Sequence, residues 1–301
     1  MKGLIRFIFF GNYFYGICVI ALSIETLLQQ QSSLNSLSYY VLAFTGTVLY
    51  YTYAYKAEPS IGSENKRAFW YLKHKKTVQY SQKSLLLIFL LAFLYFIIVN
   101  RIPFSNMDLP HWLLLLLFPF IAIFYYVNMS TKMGIHSFRN NGWSKPFIIG
   151  LVWSGTVTLY PHFFLNIETN TPFFVLSTLW VLFVNNFLFI STICIMFDIK
   201  DYATDHNQPL QTFVVRYGLR RTIFYILIPL SLIGLASIIG YGIFHNFPLL
   251  RVLINIVPYV LLIIVAYSLH RRKSILYYLA IIDGLMLAKA ICGMIGITLI
   301  K

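Results

Sequence analysis

Charge is scarce in this chain. Only 11% of its 301 residues are Asp, Glu, Lys or Arg, against about 25% in soluble domains. Acids are scarcer still, with nine Asp and Glu facing 23 Lys and Arg. Hydrophobic residues make up 59% of the chain and the mean hydropathy is +0.74. Too little polar surface remains to cover a water-facing fold, which excludes a soluble globular protein. Cysteine is also rare. Cys18, Cys194 and Cys292 lie in apolar runs without a C-x-x-C partner, so a disulfide framework or a zinc site is excluded and small apolar packing is the reading. The seven histidines are scattered, and none has the i, i+4 partner of a helical metal site. Gly-rich nucleotide loops, low-complexity tracts and a soluble domain are absent. Lys2 and Arg6 precede an apolar stretch, but no small-x-small cleavage pattern follows, so that stretch reads as a retained helix.

What is present is a series of continuous apolar runs. They predict nine membrane helices at about 5–28, 38–56, 84–100, 111–129, 146–164, 173–200, 222–243, 250–269 and 275–299. Continuity rather than alternation marks helices, not barrel strands. The expected fold class is an all-α polytopic membrane protein, with residues 1–301 as a single transmembrane domain. All but four of the 23 basic residues fall at the start of the first run, or in alternate loops and at their edges. The exceptions are Arg101, Arg251, Lys289 and Lys301. Excess Lys and Arg on one side is the positive-inside signal. It predicts a cytoplasmic N-terminus and an external C-terminus, and it removes nucleic acid as the reason for the basic balance. The Lys66 to Lys83 run suits anionic lipid head groups.

With so few acids, each position is informative. Asp198, Asp201 and Asp205 are spaced i, i+3, i+7 in NNFLFISTICIMFDIKDYATDHNQPLQTFVVRYG. At about 100° per residue they form a stripe roughly 60° wide. Stacked carboxylates repel unless something holds them together. Hard oxygen ligands on one face suit Mg²⁺, which usually bridges carboxylates to substrate phosphates. Lys200, Arg216, Arg220 and Arg221 flank the stripe. The competing reading is a solvated helix end.

This segment resembles the second aspartate-rich motif of the UbiA-type intramembrane prenyltransferases. Asp201 and Asp205 match its DxxxD pair, Asp198 stands three residues before it, and Thr212, Arg216 and Gly218 match the residues downstream. Arg6, Asn12, Lys145 and Trp153 are weaker echoes. The resemblance implies a nine-helix bundle and a polyprenyl diphosphate bound with Mg²⁺. It also implies transfer of the prenyl group to an aromatic or other lipid-soluble acceptor. By the same resemblance Asp201 and Asp205 are catalytic, and Asp198, Asp201 and Asp205 hold the metal. Asn12, Lys132, Arg139, Lys145, Lys200 and Arg216 bind substrate. Membrane lipids are the other expected partners, and the bacterial inner (plasma) membrane is the expected location.

The first aspartate-rich motif of that family is degenerate here. Its gap-free counterpart is Tyr50, Tyr51, Ala54 and Glu58, where only Glu58 keeps a carboxylate. A non-catalytic lipid-binding or scaffold protein on the same fold therefore stays as the alternative. A small-solute transporter is the third reading, set back because the acids lie at a helix end rather than at the membrane midplane. Glu25, Asp283 and Lys289 lie near or within spans, where ionisable groups are costly. Asp283 and Lys289 are six residues apart, about 240° around a helix, so they do not pair with each other. Asn185 and Asn186 are expected to face the bundle interior.

Overall fold

The computed structural model describes residues 2–56, 66–126, 142–172, 177–206 and 212–298. Helices account for nearly all of these residues, and there is no strand among them. The chain begins with α1 (Lys2–Phe10) and α2 (Tyr13–Gln29), followed by α3 (Leu37–Lys56) and the short α4 (Lys66–Lys73). Next come α5 (Lys75–Val99), α6 (Arg101–Ser105) and α7 (Leu109–Tyr126). The helix α8 (Lys145–Ser154) runs through a π turn at Gly155–Leu159 into α9 (Tyr160–Thr169). The long α10 (Ser177–His206) carries the aspartate stripe, and α11 (Phe213–Tyr217) follows it. Then α12 (Leu219–Thr222) runs through a π turn at Ile223–Leu227 into α13 (Ile228–Phe244). Last are α14 (Leu249–Ser268), α15 (Ile275–Tyr277), a π turn at Tyr278–Ile282 and α16 (Gly284–Thr298).

Six of these helical stretches are long and apolar enough to cross a membrane, which makes the chain a multi-pass membrane protein. The bent pair of α1 and α2 supplies a seventh if counted as one span, and Leu109–Tyr125 is a shorter apolar helix. At 20 residues α3 has the length of a span. Its polar content, including Tyr50, Tyr51, Thr45, Thr47 and Thr52, keeps it below the apolarity of the six. The expected count of nine spans is not confirmed: among the described residues six stretches have the full length and apolarity, or seven with the bent pair.

The first span differs from its expected form. It breaks at Gly11–Asn12, where α1 and α2 meet at 65°. Asn12 takes a left-handed conformation with φ 66, which Asn tolerates better than other residues bearing a Cβ. The apolar run continues across the break, so hydropathy alone does not show it.

The main core gathers Cys18 and Leu22 of α2, Trp153 of α8, and Phe189 and Met196 of α10. Tyr259 of α14 and Met286 of α16 complete it. A second core, with Tyr39, Phe96 and Phe163, joins α3, α5 and α9. The span of α5 is only 11% buried, against 61% for the α10 span. Its Leu87, Leu91, Leu94 and Ile98 face outward, as lipid permits and water does not.

Glycine sets two close approaches. A Cβ on Gly16 would stand 2.5 Å from the Phe44 ring, and one on Gly155 would stand 2.1 Å from the Phe118 ring. Small residues at such crossings let helices approach closely in a membrane. Gly155→Ala is expected to destabilise the bundle by about 1–3 kcal/mol through overpacking. Gly240 has open space at its Cβ position, so Gly240→Ala should stay near neutral. Unfolding of the two variants in detergent checks the contrast.

Candidate functional site

The bend at Gly11–Asn12 leaves the Phe10 carbonyl outside the regular helix ladder, and α4 is built to meet it. Arg67, Trp70 and Tyr71 lie at i, i+3, i+4 and share one face of α4. The Arg67 guanidinium donates to the Phe10 carbonyl through Nε at 3.3 Å and Nη2 at 3.0 Å, and Nη2 also donates to Asn12 Oδ1. The Tyr71 hydroxyl donates to the same carbonyl at 2.8 Å. Burial raises the Tyr71 pKa above its ordinary value while nearby Arg67 pulls it back, so the hydroxyl remains a donor at neutral pH. Asn12 Nδ2 donates to Thr52 Oγ1 of α3 at 3.1 Å and to Tyr71 at 3.3 Å. Asn12 is thus buried at the junction of α2, α3 and α4.

An aromatic wall stands beside this junction. The rings of Tyr15 and Tyr51 stack at 4.5 Å, and Trp153 meets both edge-on or tilted at 6.2 and 6.1 Å. Trp153 Nε1 donates to the Tyr51 hydroxyl. The buried Asp283, at the end of the Tyr278–Ile282 π turn, faces the Tyr15 hydroxyl and lies within electrostatic reach of Arg67 and Lys200. On α10, the buried Asp198 pairs with Lys145 at 3.4 Å. Asp201, 41% exposed, pairs with Lys200 at 3.3 Å. Cys194, one turn before Asp198, lies in the field of Asp198, Asp283 and Lys145. Side chains from α2, α3, α4, α8, α10 and the approach to α16 therefore meet at one end of the bundle, an end that gathers Arg67, Lys145 and Lys200.

The expected site residues distribute unevenly. Asn12, Lys145, Asp198, Asp201 and Lys200 are brought to this end. Asp198 is already neutralised by a lysine, while Asp201 is presented toward the surface. Thr212 caps α11 by accepting from the Val215 amide at 3.4 Å, and Gly218 has φ 80, which glycine tolerates. Arg216 is exposed and lies over the Tyr217 ring at 5.5 Å. It points at a surface aromatic and makes no contact with the cluster described above. Lys132, Arg139 and Glu58, and the side chain of Asp205, lie outside the described residues. Among the described residues no group of three or more His, Cys, Asp or Glu comes together as a metal site. At the degenerate first motif, the Tyr50 hydroxyl donates to the Ala122 carbonyl at 3.0 Å and Tyr51 belongs to the aromatic wall.

Arg67 is the residue that sequence reasoning missed, since it was counted with the orientation charge of its loop. The signal was present in the i, i+3, i+4 face that it shares with Trp70 and Tyr71. A second polar cluster occupies the opposite half of the bundle. Lys289 Nζ pairs with Glu25 Oε2 at 3.3 Å, and both side chains are buried. Gln29 donates to Glu25 at 3.4 Å and accepts from Arg251 Nη2 at 3.1 Å. Arg251 also stacks over Phe247, at 3.5 Å from the ring centroid. Asn185 and Asn186 face inward as expected, bonded to Tyr259 at 3.2 Å and Thr158 at 2.9 Å. No family model, curated protein or solved structure matches the chain.

Proposed function

We propose that the protein is a divergent intramembrane prenyltransferase of the UbiA type. In this reading it is a nine-span bundle with a cytoplasmic N-terminus and an external C-terminus, in a bacterial inner membrane. It binds a polyprenyl diphosphate at the basic end and transfers the prenyl group to an aromatic or other lipid-soluble acceptor. The observation that carries the reading is the meeting of Asn12, Arg67, Lys145, Asp198 and Asp283 beside the wall of Tyr15, Tyr51 and Trp153.

The donor set fits one Mg²⁺. Asp201 is half-exposed at the helix end, and Asp205 follows it by four residues. One or two carboxylates with phosphate oxygens are what Mg²⁺ usually takes. That ion would neutralise charge on the departing diphosphate. For a second ion the first motif offers one carboxylate, Glu58, with Tyr50, Tyr51 and Ala54 at its other positions. The chain's own groups do the rest. Lys145 and Lys200 exchange a carboxylate for phosphate oxygens when the diphosphate arrives. Asp198 holds Lys145 in place until the diphosphate arrives. The Tyr15, Tyr51 and Trp153 rings offer negative faces to an allylic cation, and the packed bundle excludes water from it.

The replacement of first-motif carboxylates by engaged tyrosines favours a second reading, a lipid-binding or scaffold protein on the same fold. One experiment separates the two. Protein in nanodiscs is incubated with Mg²⁺ and farnesyl, geranylgeranyl or longer polyprenyl diphosphates. Diphosphate release that falls on the order of 100-fold in Asp201→Asn and Asp205→Asn is expected. Mg²⁺-dependent binding without release would select the second reading. The absence of any Mg²⁺-dependent binding would reject both prenyl-diphosphate roles.

A further inference from the structure

The end of the bundle remote from the basic cluster holds a cavity of about 180 Å³. It opens between the α6–α7 connection and the end of α9. Asn106 and His111 line one side, Asn166, Asn170 and Thr171 line the other, and the Phe163 ring stands at the base. None of the groups discussed for the prenyltransferase reading contributes to it.

Its chemistry is specific in three respects. First, it carries little net charge. Its described lining holds no Lys, Arg, Asp or Glu, and its one imidazole, His111, lies with Nδ1 2.6 Å from Asp108 Oδ1. Second, Asn166 is fixed with an acceptor to spare. Its Nδ2 donates to Thr171 Oγ1 at 3.0 Å and to the Pro172 carbonyl at 2.9 Å. Its Oδ1 is buried without a hydrogen-bond partner. A buried acceptor left unmade costs free energy that a ligand donor recovers. Third, the imidazole of His111 stacks with Phe163, centroids 6.0 Å apart and 28° between planes, which provides an apolar ring surface inside a rim of amides.

Amides that both donate and accept match hydroxyls, which do the same. A ring face matches the C–H surface of a saturated ring. The volume suits one ring and not a drug-sized ligand. We propose that this cavity binds a single neutral polyhydroxylated ring, a hexose or a cyclitol, supplied either free in solution or as the head group of a lipid in the adjoining leaflet.

The test uses the full chain in nanodiscs. One arm titrates free glucose, galactose, mannose and myo-inositol, read by saturation-transfer NMR. A second arm incorporates monoglycosyl diacylglycerol or phosphatidylinositol in the nanodisc and reads retained lipid by native mass spectrometry. Binding in the first arm identifies a free sugar, and binding in the second alone identifies a lipid head group; either supports the proposal. Asn166→Leu should weaken binding roughly tenfold by removing the buried acceptor. Asn170→Gly serves as the variant that preserves the backbone, because Asn170 sits at φ 51, where glycine is unstrained. It should weaken binding several-fold while leaving thermal unfolding unchanged. The proposal is overturned by no binding in either arm, by binding that both variants leave intact, or by preferred binding of inorganic phosphate or acetate.

Discussion

Lys289→Met is expected to destabilise the bundle by about 3–5 kcal/mol, the cost of stranding a buried charge. The stranded partner is Glu25, whose Oε2 lies 3.3 Å from Lys289 Nζ in a region where both side chains are buried. Water cannot take over from the lysine there, because Gly293 presses its backbone against the Glu25 side chain. A Cβ on Gly293 would lie 2.5 Å from Glu25 Cγ and 2.7 Å from Oε1. Among the described residues Gln29 is the direct hydrogen-bond partner that remains, at 3.4 Å, and an amide does not neutralise a carboxylate. Glu25→Gln should cost a similar amount, since it leaves Lys289 charged beside Arg251's neighbour Gln29. The double variant Glu25→Gln/Lys289→Met should recover most of the loss, because two neutral groups of similar shape replace the pair. A double-mutant cycle on unfolding in detergent reads this as a coupling energy. Single variants within about 0.5 kcal/mol of the parent would show that the pair is not formed in the folded protein.

That pair also shows where a single sequence stops being legible. Helical spacing correctly separates Asp283 from Lys289, since 240° apart on one helix they cannot touch. It cannot supply the partner, because Glu25 lies 264 positions away and only packing of α2 against α16 brings it there. The aspartate stripe needed only local geometry: its three residues lie on one helix, α10, where angular spacing alone sets their relative direction. Depth along the helix is not an angular property, and depth makes Asp198 buried and Asp201 half-exposed. Asn185 and Asn186 were readable as interior because a polar amide facing lipid has no partner to satisfy it. The bend in the first span was hidden by an unbroken apolar run. The Gly11–Asn12 dipeptide was its only local sign, since Asn beside Gly is a turn pair that a continuous helix does not need. Tertiary contact then depended on that bend, and so the burial of Arg67 was hidden with it.

Arg67→Met is expected to release α4 from the bundle and to lower stability by about 2–4 kcal/mol. The guanidinium makes two bonds to the Phe10 carbonyl and one to Asn12, and a hydrogen bond to a charged group contributes about 1.5–3 kcal/mol net. Tyr71 still donates to the carbonyl at 2.8 Å, so Phe10 is not orphaned, which keeps the loss below the sum. Arg67→Lys should rescue little of it. Three bonds in fixed directions come from a planar fork, and a lysine ammonium on a flexible stem does not reproduce that geometry. Tyr71→Phe, which removes the bond donated to Phe10 and the longer one accepted from Asn12, should cost about 1–2 kcal/mol. Hydrogen exchange across residues 66–73 distinguishes local release from global unfolding. Arg67→Met should raise exchange there at a rate that the opposite half of the bundle does not share. This result requires no substrate, so it tests the architecture of the basic end whether or not a diphosphate binds there. Unchanged exchange over 66–73 would mean that α4 is held by the packing of Trp70 against Phe7 and Phe10 and not by the guanidinium.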